Sequence, residues 1–382
     1  MKNVTFSSLN SNIKQSSSKL LKRSRVCDFR SARYFSESSS MLSESQIQIF
    51  SSVVRKSDLY SHNTAFSAKF LISSGSRSLA VPTPQPFGLV KRNFSTKQVI
   101  AVDERLIPVY RLDVSGAGLP KRLGRVEKGT EDPRIVGCGE DAYFVRPDAI
   151  AVADGVGGWA YVKNADAALY SRTLLGNIYK QLEEMEDITS DSFVEYEKAL
   201  PEDLLEKAYD ETIGILGSCT VCFAMLRRNQ LRVANLGDCG AFVYRNGNCI
   251  FRTKEQQHSF NFPFQLGSKK LNSPVDAQIF SLKLLPNDVV ILASDGLFDN
   301  LFDEKIIKII KKNELKRGRV DPTQLSQELL NAARSVAESS NASCPFNSRA
   351  LKEGLIYEGG KMDDISVAVG VVDISEDSPD RR

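Results

Sequence analysis

Three apolar runs in this chain finish or begin on aspartate: Ile150-Ala-Val-Ala-Asp154-Gly155, Val289-Val-Ile-Leu-Ala-Ser-Asp295-Gly296, and Asp363-Asp364 opening Ile365-Ser-Val-Ala-Val-Gly-Val371. Short runs rich in valine and isoleucine, bounded by Asp-Gly, read as buried strands. A carboxylate at the end of such a strand is rigidly held, and an isolated one is costly to bury unless it pairs or binds a metal. The three runs are far apart in the chain, so they serve one purpose only in a fold that brings their ends together. An all-oxygen ligand set favours hard divalent cations, Mg2+ or Mn2+. A carboxylate-built metal site is the first expectation.

With 382 residues the chain has room for one large or two ordinary domains. Its charge is divided. Residues 1–100 hold 24 Ser and 15 Lys+Arg against four acidic residues, a net of +11. Taken from totals of 50 basic and 47 acidic, that leaves 35 and 43 in the remainder, a net of −8. An acidic body argues against a nucleic-acid partner, which needs a basic face. No apolar run approaches the roughly 18 residues of a membrane-spanning helix. The Ser-rich, acid-poor first 100 residues have the composition of an organellar transit peptide followed by a linker around Pro82-Thr-Pro-Gln-Pro86. Arg33-Tyr-Phe-Ser36 and Arg92-Asn-Phe-Ser-Thr96 resemble mitochondrial processing sites, whereas the weakly basic Met1–Gln15 is closer to a plastid leader. The expected location is therefore an organelle, mitochondrion or chloroplast. A disordered cytosolic extension is the plainer reading of the same composition.

The seven cysteines are an odd set without framework spacing, and Cys219-Thr-Val-Cys222 lies in an apolar run without a second CxxC. Buried thiols in a reducing compartment are expected, with no disulfides and no zinc. Residues 101–375 are expected to form the folded domain, followed by a polar tail over 376–382. Strands are predicted over Tyr110–Ser115, Ala142–Val145, Ala149–Ala153, Thr220–Leu226, Leu231–Leu236, Ala241–Arg245, Gln278–Leu284, Val289–Ala293 and Ile365–Val372. Asn229-Gln230 and Asn246-Gly247-Asn248 are read as hairpin turns between strand pairs. Helices are predicted over Asn164–Gln181, Pro201–Leu216, Asp303–Lys312 and Pro322–Ser339. The last carries an apolar stripe at Leu325, Leu329, Ala332 and Val336. Hairpin pairs outnumber strand–helix–strand units, which favours an α+β fold with antiparallel sheets over a doubly wound one.

Read in order, five motifs become specific. They are Gly139-Glu140-Asp141-Ala-Tyr-Phe, Ala153-Asp154-Gly155-Val-Gly-Gly-Trp159, Ala234-Asn-Leu-Gly-Asp238, Ala293-Ser-Asp295-Gly-Leu-Phe-Asp299 and Gly359-Gly-Lys-Met-Asp363-Asp-Ile-Ser366. From about Tyr110 to Val372 the chain resembles the type 2C (PPM) metal-dependent Ser/Thr protein phosphatases, and Glu255–Gln265 with the Gly-Gly-Lys-Met-Asp-Asp ending resembles their organellar branch. The resemblance implies a four-layer α-β-β-α sandwich of two antiparallel sheets flanked by helices. It also implies a centre of two Mn2+ or Mg2+ ions, with an optional third. Asp154 resembles the carboxylate bridging both metals and Gly155 a backbone-carbonyl ligand. Asp295 and Asp363 match ligands of the other metal, Glu140 and Asp141 the outer pair holding metal-bound water, and Asp238 a residue near the third metal. The implied reaction is attack of a metal-bridged water on the phosphorus of phosphoserine or phosphothreonine in a protein, without a covalent intermediate.

Two departures stand out. Where many members of that family have His after Asp-Gly, this chain has Val156. Where many have a phosphate-gripping Arg shortly before Glu-Asp, Arg134 is out of register with Glu140. The proton donor and the phosphate grip are therefore open. His258 is the only histidine of the body, and a loop or core role is the expectation for it. Asp299 and Asp303 are read as a turn residue and a helix cap, and Trp159 as packing. The alternatives to a protein phosphatase are a pseudophosphatase or regulatory scaffold, and a small-molecule phosphomonoesterase. The substrate protein and the oligomeric state are unreadable, with monomer the default.

Overall fold

The computed structural model describes residues 109–122, 132–186, 196–269 and 271–375. The expected leader and linker in residues 1–100 and the tail over 376–382 lie outside the described residues.

Fourteen strands are seen among the described residues: β1 Tyr110–Leu119, β2 Val136–Cys138, β3 Asp141–Arg146, β4 Ala149–Gly155, β5 Ser218–Arg227, β6 Gln230–Leu236, β7 Gly240–Arg245, β8 Asn248–Arg252, β9 Gln257–Ser259, β10 Phe262–Pro263, β11 Leu266–Gly267, β12 Gln278–Lys283, β13 Val289–Ala293 and β14 Ile365–Ile374. One sheet has the order β1-β14-β13-β7-β8 and the other β12-β6-β5-β4-β3-β2, with β11 added on β5. Every pairing between these strands is antiparallel. Helices α1 (Ala167–Glu186) and α2 (Pro201–Asp210) cover the second sheet. The first sheet is covered by α4 (Asp303–Arg317) and α5 (Pro322–Ala337). Two short helices are α3 (Asp295–Phe298) and α6 (Pro345–Lys352).

Three apolar layers account for this stacking. Ile150, Val152, Ala224 and Val233 of one sheet meet Val243, Val290, Leu292 and Ala368 of the other. Residues of opposite parity, such as Ala151, Phe223 and Met225, pack on Leu174, Ile178, Leu182 and Leu205 of the helices. On the far side Ile291, Val367 and Val369 pack on Ile306, Ile310, Leu325 and Leu329. Both faces of the central strands are thus buried, which is why β5 is buried along its whole length and apolar from Val221 to Leu226 rather than alternating.

The hairpin turns lie close to their predicted places. Asn246 and Gly247 have φ of 47° and 87°, the paired left-handed conformation that a two-residue turn between twisted strands demands. Helix α2 stops at Asp210, short of the predicted Leu216, and Gly214 follows at φ 100°. Helix α1 starts at Ala167 rather than Asn164, because Asp166 Oδ1 accepts from the Leu169 N–H at 2.8 Å and caps it. In α5 the fully buried stripe is Leu325, Leu329, Leu330 and Ala333, with Ala332 and Val336 on its margin.

The described cysteines are free thiols. Cys219 belongs to the helix-side layer and Cys222 to the layer between the sheets, since a separation of three puts them on opposite faces of β5. Among the described residues no helix is long and apolar enough to cross a membrane.

Candidate metal centre

Strand parity aims the carboxylates. In β4, Ile150 and Val152 point between the sheets, and Asp154 follows with the same parity at the strand's end. In β3, Tyr143 points inward, which gives Asp141 the same direction. Asp141 and Asp154 are register partners across β3 and β4. The rim of the inter-sheet layer is therefore where the chain places its acid.

Three other elements reach that rim. Gly237, at φ 97°, turns the chain from β6 toward β7 and sets Asp238 there. The first sheet contributes Asp295, which opens α3 directly after β13, and Asp363 with Asp364, which precede β14. Asp154, Asp238 and Asp295 each offer a carboxylate oxygen, and these oxygens lie within 4.8 Å of one another. Asp141 is fully buried, and neither of its carboxylate oxygens has a hydrogen bond of ordinary geometry.

Such crowding moves protonation. Burial pushes the Asp154 carboxyl well above the ordinary carboxylate range, and Asp295, Asp141, Asp363 and Asp238 push it further. Burial does the same to Asp141, helped by Asp364 and opposed by the Ser294 hydroxyl. An apolar core does not retain such a group without compensation. A cluster of carboxylate oxygens with no other side-chain ligand type is a hard-cation donor set, and the residues present fit Mg2+ or Mn2+.

Close backbone contacts hold the ligands. A side chain at Gly155 would run into the carbonyl oxygens of Glu140 and, at 2.8 Å, Ala167. The Gly155 N–H donates to Glu140 O at 3.0 Å, and the Ser171 hydroxyl donates to the same oxygen at 2.8 Å. Gly139, at φ 67°, lies against the Asp364 carboxylate with no room for a side chain.

Asp363 and Asp364 take different roles. Asp364 is 3 % exposed and accepts the backbone N–H groups of Lys121, at 2.6 Å, and Glu140, at 2.9 Å. It ties β1, the Gly139-Glu140 turn and β14 together. Asp363 faces the rim, where Lys121 Nζ lies 3.4 Å from Oδ1 and Lys361 Nζ 3.3 Å from Oδ2.

Lysines and further charges in the site were not anticipated from sequence. Lys361 Nζ pairs with Asp295, with Asp299 at 2.6 Å and with Asp363. Asp299 is therefore more than the turn residue expected. It is 3 % exposed and holds both Lys361 and Arg349, because the turn after α3 folds it back into the site. Asp303 does not cap α4 with its side chain; the cap position belongs to Phe302, and Asp303 sits 3.8 Å from Arg252. A lysine two places before a strand-opening Asp pair was the available signal for Lys361, but nothing local said which carboxylates it would meet.

His258 stacks on Phe264 at 4.3 Å, and its Nε2 lies 3.0 Å from Asn272 Oδ1. That oxygen also accepts from the Gln265 N–H, so Nε2 is the donor of the pair. Trp159 is buried, and its Nε1–H donates to Ser218 Oγ, which in turn donates to Gln265.

The family model described as stage II sporulation protein E (SpoIIE) matches residues 148–367. The chain is 38 % identical over 242 residues to probable protein phosphatase 2C 55 of Arabidopsis thaliana, covering 63 % of this chain and 49 % of that protein. It is 34 % identical over 283 residues to probable protein phosphatase 2C 26 of the same organism, covering 70 % and 86 %. Among solved structures it is similar to the photosystem II phosphatase PBCP, at TM-score 0.58 and 32 % identity, covering 69 % of this chain and 99 % of that one. The chain spans about half the length of the first of these curated relatives.

Proposed function

This chain belongs to the type 2C protein phosphatase family, and on that premise we propose that it hydrolyses phosphoserine and phosphothreonine in proteins at a centre of two Mn2+ or Mg2+ ions. The observation that carries the reading is the convergence of Asp154, Asp238 and Asp295 oxygens within 4.8 Å on the rim that also holds the fully buried Asp141. Asp154, between the two sheets, and the Gly155 carbonyl beside it would hold the cations. Asp295 and Asp363 are assigned to one cation, and Asp238 to the neighbourhood of an optional third. Glu140 and Asp141 orient water at the rim.

The cations, when bound, supply charge neutralisation at the phosphate and activation of water. The residues of the chain hold the charge cluster rigid. Asp364 pins the backbone of Lys121 and Glu140, and Gly155 lets β4 approach Glu140. No cysteine or serine is required as a nucleophile. The described cysteines near the rim, Cys219 and Cys239, are buried, and burial pushes both thiols well up, so thiolate chemistry is disfavoured.

The test is hydrolysis of a phosphothreonine peptide by the full chain. Activity should vanish on EDTA treatment, return on adding Mn2+, and be absent in Asp295→Ala with an unchanged circular dichroism spectrum. Full activity in Asp154→Ala would overturn the reading. The second reading, a pseudophosphatase, rests on Val156 standing where many relatives carry histidine, and measurable hydrolysis of p-nitrophenyl phosphate rejects it. An organellar destination for the domain belongs to the same proposal. Imaging residues 1–100 fused to a fluorescent protein decides between mitochondrion, plastid and cytosol.

A further inference from the structure

A phosphate monoester carries about two negative charges near neutral pH, and a rim lined with carboxylates repels it unless cations face it. No arginine precedes Glu140 in the register that would serve this purpose. The fold supplies a cation from elsewhere. Lys121 lies two residues beyond the end of β1, and its backbone N–H is held by Asp364 Oδ1 at 2.6 Å, which fixes where its side chain starts. Its Nζ stands 2.6 Å from Glu140 Oε2, 3.4 Å from Asp363 Oδ1 and 3.6 Å from Asp364 Oδ2.

The geometry of that ammonium suits a ligand from outside. Only the Glu140 contact is at full hydrogen-bond strength, while the other two are long. The Lys121 side chain is 31 % exposed, against 9 % for Lys361, whose ammonium is sunk among Asp295, Asp299 and Asp363. Space beside Lys121 is kept open by a glycine. A Cβ at Gly157 would stand 3.1 Å from Glu140 Oε2 and 3.8 Å from Lys121 Nζ. Arg349 is a second partly exposed cation, but its guanidinium is taken by Asp299 and Glu255, neither of them an assigned metal ligand.

We propose that Lys121 binds the phosphate group of the substrate, taking from the end of β1 the part an in-register arginine would have played. The inference rests on the phosphatase reading and adds the residue that receives the phosphoryl oxygens. One ammonium can donate to a phosphate oxygen while retaining Glu140, because it carries three N–H donors.

The experiment titrates inorganic phosphate into the full chain with Mn2+ by calorimetry, for wild type, Lys121→Met, Lys121→Arg and Arg349→Met. Phosphate affinity should fall on the order of tenfold to a hundredfold in Lys121→Met, the range of a charge-assisted hydrogen bond. It should be partly restored in Lys121→Arg and be unchanged in Arg349→Met, while the Mn2+ affinity of Lys121→Met does not fall, because the lost ammonium competed for the Glu140 and Asp363 carboxylates. Three results overturn the assignment: wild-type phosphate affinity in Lys121→Met, loss of Mn2+ affinity in parallel with phosphate affinity, or a loss confined to Arg349→Met. Lys121-dependent phosphate binding by a chain that hydrolyses no phosphoester would leave this inference standing and remove the phosphatase reading.

Discussion

Asp141 and Asp154 face each other as register partners at the open end of β3 and β4, two carboxylates on adjacent strands aimed into the same layer. Like charges directly opposite one another on a sheet are destabilising, and here burial raises the cost on both. A fold retains such a pair where function needs the charge, at some expense in stability.

Replacing Asp154 by Asn should therefore separate stability from function. The neutral isostere removes one charge from a crowded, buried set, so the metal-free protein should gain on the order of 1 kcal/mol. Stabilisation by added Mn2+ should disappear at the same time. Urea unfolding with and without Mn2+ reads both, and a less stable metal-free Asp154→Asn would contradict the crowding argument.

Lys361 is the internal counter-cation of Asp295, Asp299 and Asp363. Removing one partner from a buried ionic cluster costs about 3–5 kcal/mol. Lys361→Met should be destabilised by that order in the metal-free state. The double variant Lys361→Met/Asp299→Asn should recover part of it, because neutralising Asp299 removes its repulsion of Asp295 and Asp363, which Lys361 no longer offsets. Equal stability of the single and double variants would show that Asp299 is not a partner that matters.

Gly155 is irreplaceable for a steric reason. A methyl group there meets the carbonyls of Glu140 and Ala167, both backbone atoms that cannot swing away. Gly155→Ala should lose about 1–3 kcal/mol, the usual cost of overpacking. The strain falls on the Glu140 carbonyl, so Mn2+ binding should weaken with it. Thermal unfolding and a Mn2+ titration of this variant check the two effects together, and wild-type values in both would refute the contact.

His258, in the middle of β9, is engaged by Asn272 and Phe264. His258→Ala should keep the pH dependence of kcat for phosphopeptide hydrolysis while losing about 1 kcal/mol of stability through the broken hydrogen bond. Disappearance of an acidic limb from the rate profile in this variant would make the imidazole a proton donor after all.

Much of the arrangement was legible in the chain itself. The apolar runs, their aspartate ends and the Asn-Gly turn announced antiparallel strands with acid at one edge, because strand parity and turn conformation are local properties. Helix ends were less legible. Asp166 caps α1, which starts three residues inside the predicted start, and Ile213, Ile215 and Leu216 extend the apolar spacing to Leu216 although the chain has already left the helix at Asp210. The short strands β2, β9, β10 and β11, two or three residues long, leave too little pattern to detect.

What the sequence alone determined is the inventory: strand-end carboxylates in a fixed order, glycines beside them, and no in-register arginine. Tertiary structure decided how that inventory is wired. Asp363 and Asp364 are adjacent in sequence and chemically identical, yet one accepts two backbone N–H groups while the other meets two ammonium groups. Lys121 and Lys361, on opposite sides of the chain's length, come to the same carboxylate. Side-chain parity along a strand is set by neighbours in the chain, but charge pairing is set by distance in space. Only the packing of two sheets face to face brings those distances down to hydrogen-bond length.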